Sequence, residues 1–226
     1  MKKLLVFDCY QTLIYKPGLG TALQKFLAKE LKAQVSLKHI NLAFKIMYNR
    51  HKFQHAKFST EKQRRNYYRG YNQYLLNTLG LDISIPVADR LNKVLSRVPY
   101  VSYPDVISTL QYLKSRHYQL GLLANWTSQL EQVLSRIKLT KYFDFVFASH
   151  NLGVQKPDPR FFTKALRRHR KKYDKVYYVG DDYDLDVIPA RRAKLIPVLI
   201  DRENNYPTQT DCTKVKTLRS LIHIIN

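Results

Sequence analysis

Several features that are common in proteins are scarce in this 226-residue chain. It has only two cysteines, Cys9 and Cys212, which give neither a disulfide framework nor the ligand spacing of a zinc site, so we expect a reducing, cytoplasmic environment. It has seven glycines and no G-x-G-x-x-G pattern, which disfavours a dinucleotide-binding enzyme. No uncharged apolar run reaches about 18 residues, so no membrane-spanning helix is predicted. The opening MKKLLVF is charged too early for a secretory leader, and none is expected.

Acidic residues are also scarce: 17 Asp and Glu stand against 39 Lys and Arg, a net charge of +22. Such a charge favours an anionic partner, either a polyanion or a small anionic substrate. The basic residues are spread along the chain in short clusters, and no recognised nucleic-acid motif accompanies them. We therefore expect a small anionic substrate and no membrane partner, while specific nucleic-acid binding stays open.

The pattern that is present from about residue 100 onward is an alternation of strands and helices. The predicted strands read QLGLLAN, FDFVFAS, KVYYVGD and IPVLID, and helical stretches such as DVISTLQYLKSR and DVIPARRA separate them. The opening KLLVFD fits the same pattern. Alternation of this kind predicts an α/β fold, with a mostly parallel sheet and helices on both faces.

A long stretch after the first strand breaks this alternation. From residue 16 to residue 98 every periodic segment is helical, and glycine and proline near residues 17–20 and 99 mark its edges. The sequence thus predicts two domains, an α/β core of residues 1–15 and 99–226, and a helical insertion of residues 16–98.

Residues with chemical potential follow several of the predicted strands. Asp8 ends the first strand, Asn125 follows QLGLLA, Lys156 follows FDFVFAS, and Asp181 and Asp186 follow KVYYVG. Ligands of parallel sheets bind at the carboxyl ends of the strands, so we expect these residues to meet at one edge. Two like charges about 4 Å apart repel by about 4 kcal/mol at an effective dielectric of 20. One lysine cannot neutralise three carboxylates, so a divalent cation such as Mg²⁺ is predicted.

Together, FDCYQTL, LLAN, QKPDP and VGDDYDLD resemble the four ordered motifs of the haloacid dehalogenase (HAD) superfamily. The helical insertion lies where that superfamily has its first type of cap domain. The resemblance implies a Rossmann-like core and covalent hydrolysis, with Asp8 as the nucleophile. It also implies that Thr12 holds the first loop and that Lys156 balances the charge of the nucleophile and the intermediate.

The resemblance further implies a ligand set for the metal and contacts for the substrate. Asp8, Asp181, Asp186 and the backbone carbonyl of Tyr10 would hold Mg²⁺. Asn125 and Lys156 would contact the anionic substrate. The cap would supply basic residues toward that substrate, for which the candidates are Lys45, Arg50, Arg64, Arg65 and Arg69.

Two positions depart from the pattern of the superfamily's phosphatases. Tyr10 stands where those enzymes usually carry the aspartate that acts as general acid and base, and Ala124 stands where Ser or Thr usually binds the substrate anion. An aromatic residue at position 10 resembles the 2-haloacid dehalogenase branch, whose halide leaving group needs no proton. The usual pKa of tyrosine, near 10, suits proton transfer at neutral pH poorly.

Three interpretations therefore remain. The acidic residues of the fourth motif favour Mg²⁺-dependent hydrolysis of phosphate esters through an aspartyl-phosphate. Tyr10 favours 2-haloacid hydrolysis through an aspartyl ester, although SLKHINLAFKIMYNRH offers no clear equivalent of the cap arginine that dehalogenases use. Tyr10 and Ala124 together also suit a catalytically impaired member that binds its ligand, with nucleic acid as one candidate. A cysteine phosphatase built on Cys9 is disfavoured, because Tyr15 stands where its arginine would be required.

Overall fold

The computed structural model describes residues 3–53, 60–167, 169 and 173–225. The chain divides into two compact units. One unit comprises Met1–Tyr15 and Val101–Asn226, and the other comprises Lys16–Tyr100.

Within the described residues, the strands lie in the first unit. They are β1 (Lys3–Phe7), β2 (Ile14–Tyr15), β3 (Val101–Ser102), β4 (Gln119–Ala124), β5 (Phe145–Ala148), β6 (Lys175–Gly180), β7 (Ile196–Ile200) and β8 (Thr213–Val215).

Helices lie in both units. Those of the second unit are α1 (Leu19–Glu30), α2 (Leu37–His51), α3 (Glu61–Thr78) and α4 (Ile85–Arg97). Those of the first unit are α5 (Val106–Ser115), α6 (Leu130–Arg136), α7 (Ser149–Leu152), α8 (Arg160–Ala165), α9 (Ile188–Arg192) and α10 (Leu221–Ile225), with 3₁₀ turns at Thr140–Tyr142 and Leu218–Ser220 and a π-helical turn at Tyr183–Val187. Within the described residues, no helix is both long and apolar enough to cross a membrane.

A six-stranded parallel sheet, in the order β5-β4-β1-β6-β7-β8, organises the first unit. β1 lies between β4 and β6, with Phe7 in register with both Leu122 and Val179. Its residues Leu4 to Phe7 are fully buried, as expected for a strand covered on both faces. The predicted α/β fold with a mostly parallel sheet is confirmed.

Four details of this unit differ from the sequence-based prediction. β8 was not predicted, because TKV is too short to show a periodicity, and neither was the antiparallel pair of β2 and β3. The predicted helix DVIPARRA is instead a π-helical turn followed by α9. The cause is local: the carboxylate of Asp182 accepts hydrogen bonds from the backbone N–H groups of Asp184 and Leu185 and so begins the turn early. The predicted helix PRFFTKALRRH is shorter than expected: α8 ends at Ala165, and the described residues Leu166, Arg167 and His169 form turns, while Arg168 lies outside the described residues.

The described residues of the second unit form helices, and two of these, α2 and α3, begin at residues whose side chains cap them. The Ser36 side chain accepts the His39 backbone N–H before α2, and Thr60 and Gln63 form a reciprocal capping box before α3. The apolar faces of the four helices pack into one core that includes Leu23, Met47 and Leu91. The cap role of this unit stays a prediction.

Candidate active site

Asp8 lies directly beyond β1, at the carboxyl edge of the sheet. Its backbone N–H donates to the carbonyl of Val179 at 2.8 Å, which continues the pairing with β6 by one residue. The chain then turns sharply, because the N–H groups of Leu13 and Ile14 both donate to the carbonyl of Cys9. Gln11 adopts a left-handed conformation in this turn, with φ of 64°. Asp8 is therefore fixed by the sheet on one side and by a closed turn on the other, with 7% of its surface exposed.

Lys156 reaches the same edge from the segment between α7 and α8. Its Nζ donates to Asp8 Oδ1 at 2.6 Å, to Asp186 Oδ1 at 2.6 Å and to the hydroxyl of Tyr178 at 3.2 Å. These bonds use all three N–H groups of the ammonium. Burial alone would lower the pKa of Lys156, but the carboxylates of Asp186 and Asp8 outweigh it, and the pKa lies well above its usual value. Lys156 is thus a fixed positive charge at neutral pH.

Asp181 and Asp186 bring two further carboxylates to Asp8. One oxygen from each of the three residues lies within 4.8 Å of the others. Gly180, which ends β6, permits this approach, because a Cβ atom there would lie 2.3 Å from Cγ of Asp186. Asp182, by contrast, is engaged in starting the next turn and is outside this cluster. We call Asp8, Asp181 and Asp186 the carboxylate cluster.

The carboxylate cluster carries more negative charge than Lys156 neutralises. Burial, followed by the charges of Asp186 and Asp8, raises the pKa of Asp181 well above its usual value. Burial also raises the pKa of Asp186 to about 6, against the opposing effect of Lys156. A set of carboxylate oxygens that destabilise each other in this way has the chemistry of a site for a hard divalent cation. The cluster could therefore hold a metal ion.

This repulsion predicts that Asp181→Asn stabilises the metal-free protein. Asparagine keeps an oxygen that can accept the hydrogen bond from the hydroxyl of Thr12, which is 2.9 Å in the native protein, while it removes one charge from the cluster. We expect the free energy of unfolding to rise by about 1–2 kcal/mol, which corresponds to an increase in Tm of about 2–8 °C for a chain of this size. Differential scanning fluorimetry in EDTA measures the change.

Asp82→Asn is the control for this variant, since Asp82 is exposed in the helical unit. Mg²⁺ should raise the Tm of the native protein and of the control, and it should have a smaller effect on Asp181→Asn. Repulsion within the carboxylate cluster would be contradicted if Mg²⁺ left the Tm of the native protein unchanged and the Tm of Asp181→Asn were no higher than that of the native protein.

The loop after Asp8 is supported by residues that the sequence did not indicate. Arg202 donates from Nη2 to the carbonyl of Thr12 at 2.9 Å and from Nη1 to Asp105 Oδ2 at 3.0 Å. Its guanidinium lies 3.9 Å from the centre of the Tyr103 ring, whose hydroxyl donates to the side chain of Gln11. No spacing in the sequence links these residues, so only the structure could reveal this brace. Tyr178 was also missed, because it reads as a core residue of an apolar strand.

The two positions that depart from the phosphatase pattern lie at the same edge. Burial, and then the charge of Asp181, raises the pKa of Tyr10 to about 12. Its hydroxyl therefore keeps its proton at neutral pH and cannot act as a base there. Ala124 ends β4 and is 1% exposed, and its methyl side chain cannot donate a hydrogen bond to an anion.

Asn125 has a contact that the sequence did not predict. Its Oδ1 accepts the backbone N–H of Lys156 at 2.8 Å, and its Nδ2 donates to the backbone carbonyl of Lys156 at 3.0 Å. The predicted contact of Asn125 with substrate stays a prediction.

Arg69 and Arg50, two of the basic candidates, form side-chain hydrogen bonds inside the helical unit. Arg69 forms a bidentate ion pair with Asp89, in which Nε donates to Oδ1 at 3.0 Å and Nη2 donates to Oδ2 at 2.7 Å. Arg50 donates to the hydroxyl of Tyr74 at 2.6 Å. A role in substrate binding stays a prediction for all five.

Comparisons with known proteins agree with this geometry. A family model described as a haloacid dehalogenase-like hydrolase matches residues 2–194. Glyceraldehyde 3-phosphate phosphatase of Methanopyrus kandleri is 37% identical over 101 residues, which cover 44% of this chain and 43% of that protein. The chain spans about half the length of the curated relatives it matches.

Solved structures share the fold over the whole chain. The putative HAD-hydrolase YfnB from Bacillus subtilis, solved bound to magnesium, has a TM-score of 0.76 at 16% identity and covers 100% of this chain and 98% of that one. The 2-haloacid dehalogenase from Pseudomonas syringae pv. Tomato DC3000 has a TM-score of 0.60 at 24% identity, with the same coverage. At these identities the likeness establishes the fold alone. With the order of the four motifs, the parallel sheet and the family match over residues 2–194 in agreement, the chain belongs to the haloacid dehalogenase-like hydrolase family.

Proposed function

We propose that this protein hydrolyses phosphate esters of small anionic compounds through a covalent aspartyl-phosphate on Asp8. One observation carries the proposal: Lys156 Nζ lies 2.6 Å from both Asp8 and Asp186, inside a cluster of three carboxylates at the edge of the sheet. A nucleophile, a fixed cation and a cation-binding set of carboxylates are the parts that phosphoryl transfer to a carboxylate requires. The phosphatase name of the Methanopyrus kandleri relative supports the same reaction class.

Each residue would have one task in this reaction. Asp8 would attack phosphorus with a carboxylate oxygen and expel the alcohol, and water would then attack the phosphorus of the acyl phosphate and return Asp8 to its starting state. Lys156 binds Oδ1 of Asp8, so it would orient the carboxylate and offset the charge that builds up on the transferring group. Thr12 would keep Asp181 and the loop in register through its 2.9 Å hydrogen bond.

The carboxylate cluster fits Mg²⁺, because hard carboxylate oxygens are the ligands this ion prefers. Asp8, Asp181, Asp186 and the backbone carbonyl of Tyr10 would hold it. When bound, the ion would neutralise the cluster and polarise the phosphoryl oxygens. The protein itself would contribute a preorganised set of ligands. The close approach of Asp186 to Gly180 and the turn after Asp8 would keep this set in place.

A second candidate, hydrolysis of 2-haloacids through an aspartyl ester, is favoured by one observation. The pKa of Tyr10 is about 12, so its hydroxyl serves poorly as the acid or base that an alcohol leaving group needs at neutral pH. A halide needs no proton, and such a substrate would not require that group.

A substrate panel distinguishes the candidates. It contains p-nitrophenyl phosphate, glyceraldehyde 3-phosphate and 2-chloropropionate, each assayed with Mg²⁺ and with EDTA. We expect phosphate release that requires Mg²⁺ and falls at least about tenfold in EDTA, because the uncompensated carboxylates would repel an anionic substrate.

Each other outcome has a defined meaning. Phosphate release that is unchanged in EDTA would contradict the metal requirement. Halide release that is indifferent to the metal would support the second candidate. A protein that binds these anions without turnover would support the impaired member of the family.

A further inference from the structure

The side chain of Asn125 forms a two-bond clasp with the backbone of Lys156. Oδ1 accepts the N–H of Lys156 at 2.8 Å, and Nδ2 donates to its carbonyl at 3.0 Å. The amide group thereby behaves like a residue of a neighbouring strand, since it exchanges both hydrogen bonds with one residue opposite. Two bonds of opposite direction fix the orientation of the Lys156 peptide groups as well as their position.

Lys156 needs such a support, because it belongs to no helix or strand. It lies between the end of α7 at Leu152 and the start of α8 at Arg160. Its side chain must nevertheless place Nζ 2.6 Å from two carboxylates while only 3% of the residue is exposed. A displacement of about 1 Å would break contacts this short, and misplacement on that scale can cost about 100-fold in rate.

Asn125 is well placed to supply this support. It directly follows β4, which pairs with β1 on one side and with β5 on the other. Its backbone is therefore anchored to the strand that carries Asp8. Through Asn125, the backbone of Lys156 is attached to the same sheet that positions Asp8, to which the Lys156 side chain donates.

We propose that Asn125 is a positioning residue that acts on the reaction only through Lys156, and not by contact with substrate. This inference deepens the proposed function and rests on it. It assigns to Asn125 a task different from the substrate contact that the motif resemblance implied. This task does not depend on residue 124, so it is compatible with Ala124, whose side chain cannot donate a hydrogen bond to an anion.

A double-mutant cycle tests the proposal. The variants are Asn125→Ala, Lys156→Met and the double variant, with kcat and KM measured on p-nitrophenyl phosphate. We expect Asn125→Ala to lower kcat about 10- to 100-fold, with KM changed less than about threefold. In the Lys156→Met background the same substitution should cost less than about twofold, because the residue through which it acts is gone.

Asn151→Ala is the matched control, since Asn151 is an exposed asparagine on α7. It should leave kcat and KM unchanged. If Asn125→Ala costs as much without Lys156 as with it, or if it raises KM and leaves kcat unchanged, the proposal is overturned. Should the alanine variant fail to fold, Asn125→Asp keeps the shape of the side chain and the acceptor for the Lys156 N–H, and its cycle with Lys156→Met gives the same test.

A second readout does not depend on activity. Hydrogen exchange of the Lys156 ammonium, observed by ¹H–¹⁵N NMR and assigned by its loss in Lys156→Met, should be at least about tenfold faster in Asn125→Ala than in the native protein. Exchange at the native rate would overturn the clasp. A protein without phosphatase activity whose ammonium exchange still responds would refute the proposed function and leave the positioning role standing.

Discussion

Asp8→Asn is expected to lower kcat for phosphate esters by about 10⁴-fold or more, with the fold intact. The amide oxygen of asparagine is a poor nucleophile and would not form the acyl phosphate, so the loss is that of the covalent route itself. The fold should persist, because the backbone bond from residue 8 to Val179 and the turn after it do not involve the carboxylate. Lys156 also keeps its bond to Asp186. Steady-state kinetics with p-nitrophenyl phosphate, together with circular dichroism, measures both expectations.

Asp174→Asn is the control, since Asp174 is an exposed carboxylate that precedes β6, at the opposite edge of the sheet. It should retain native activity. Turnover by Asp8→Asn within tenfold of the native rate would refute Asp8 as the nucleophile.

Isotope labelling then separates the two chemistries for any substrate that Asp8 turns over. In H₂¹⁸O, water attacks phosphorus when the intermediate is an acyl phosphate, so the label enters the released phosphate. Hydrolysis of an aspartyl ester at its carbonyl carbon would instead place the label in Asp8. Mass spectrometry of the protein after a single turnover distinguishes these results.

Tyr10→Asp is expected to raise kcat for alkyl phosphates by about 10²-fold, within the 10²–10⁴ range typical of a positioned general acid or base. Tyr10 keeps its proton because its pKa is about 12, so an alkoxide leaving group lacks a matched proton donor at neutral pH. A carboxyl group at this position would lie near Asp181, and that like charge should raise its pKa toward neutrality. Aryl phosphates, whose leaving groups need little protonation, should gain much less.

Tyr10→Asn is the control that distinguishes proton donation from the loss of side-chain volume, because it shortens the side chain to the same extent without supplying an acid. The ratio of kcat for glyceraldehyde 3-phosphate to kcat for p-nitrophenyl phosphate, measured in both variants, is the discriminating quantity. An equal increase in Tyr10→Asn would show that the bulk of tyrosine, and not its pKa, limits the reaction. No change in the ratio for Tyr10→Asp would refute proton transfer as the limiting factor.

The strand ends were predictable from the sequence, and so was the fold class. Alternation of strands and helices predicted the parallel sheet, and the sheet placed Asp8, Lys156, Asp181 and Asp186 at one edge. β8 and the β2–β3 pair escaped because strands of two or three residues show no periodicity. The π-helical turn was not predicted, because it depends on one carboxylate, that of Asp182, which accepts hydrogen bonds from the backbone N–H groups of Asp184 and Leu185.

The supporting contacts of the site could not be predicted, for a different physical reason. The clasp between Asn125 and Lys156 joins a side chain to backbone groups 31 residues away, and such a pair leaves no mark in spacing or periodicity. Tyr178 was hidden among apolar neighbours, although its hydroxyl bonds to Lys156 and to the carbonyl of Leu123. Local patterns report which groups are present, whereas the arrangement that makes them act together depends on contacts distant in sequence.

The brace from Arg202 to the carbonyl of Thr12 joins residues 190 positions apart, and it has a consequence for biosynthesis. The ribosome makes the loop that carries Asp8 well before it makes Arg202, which supports that loop. While the intervening residues are made, a nascent chain would therefore hold the Asp8 loop incompletely, and the native arrangement of this loop would be complete only after β7 and Arg202 had emerged. In this sense the loop reaches its final arrangement only once a single guanidinium, that of Arg202, is available.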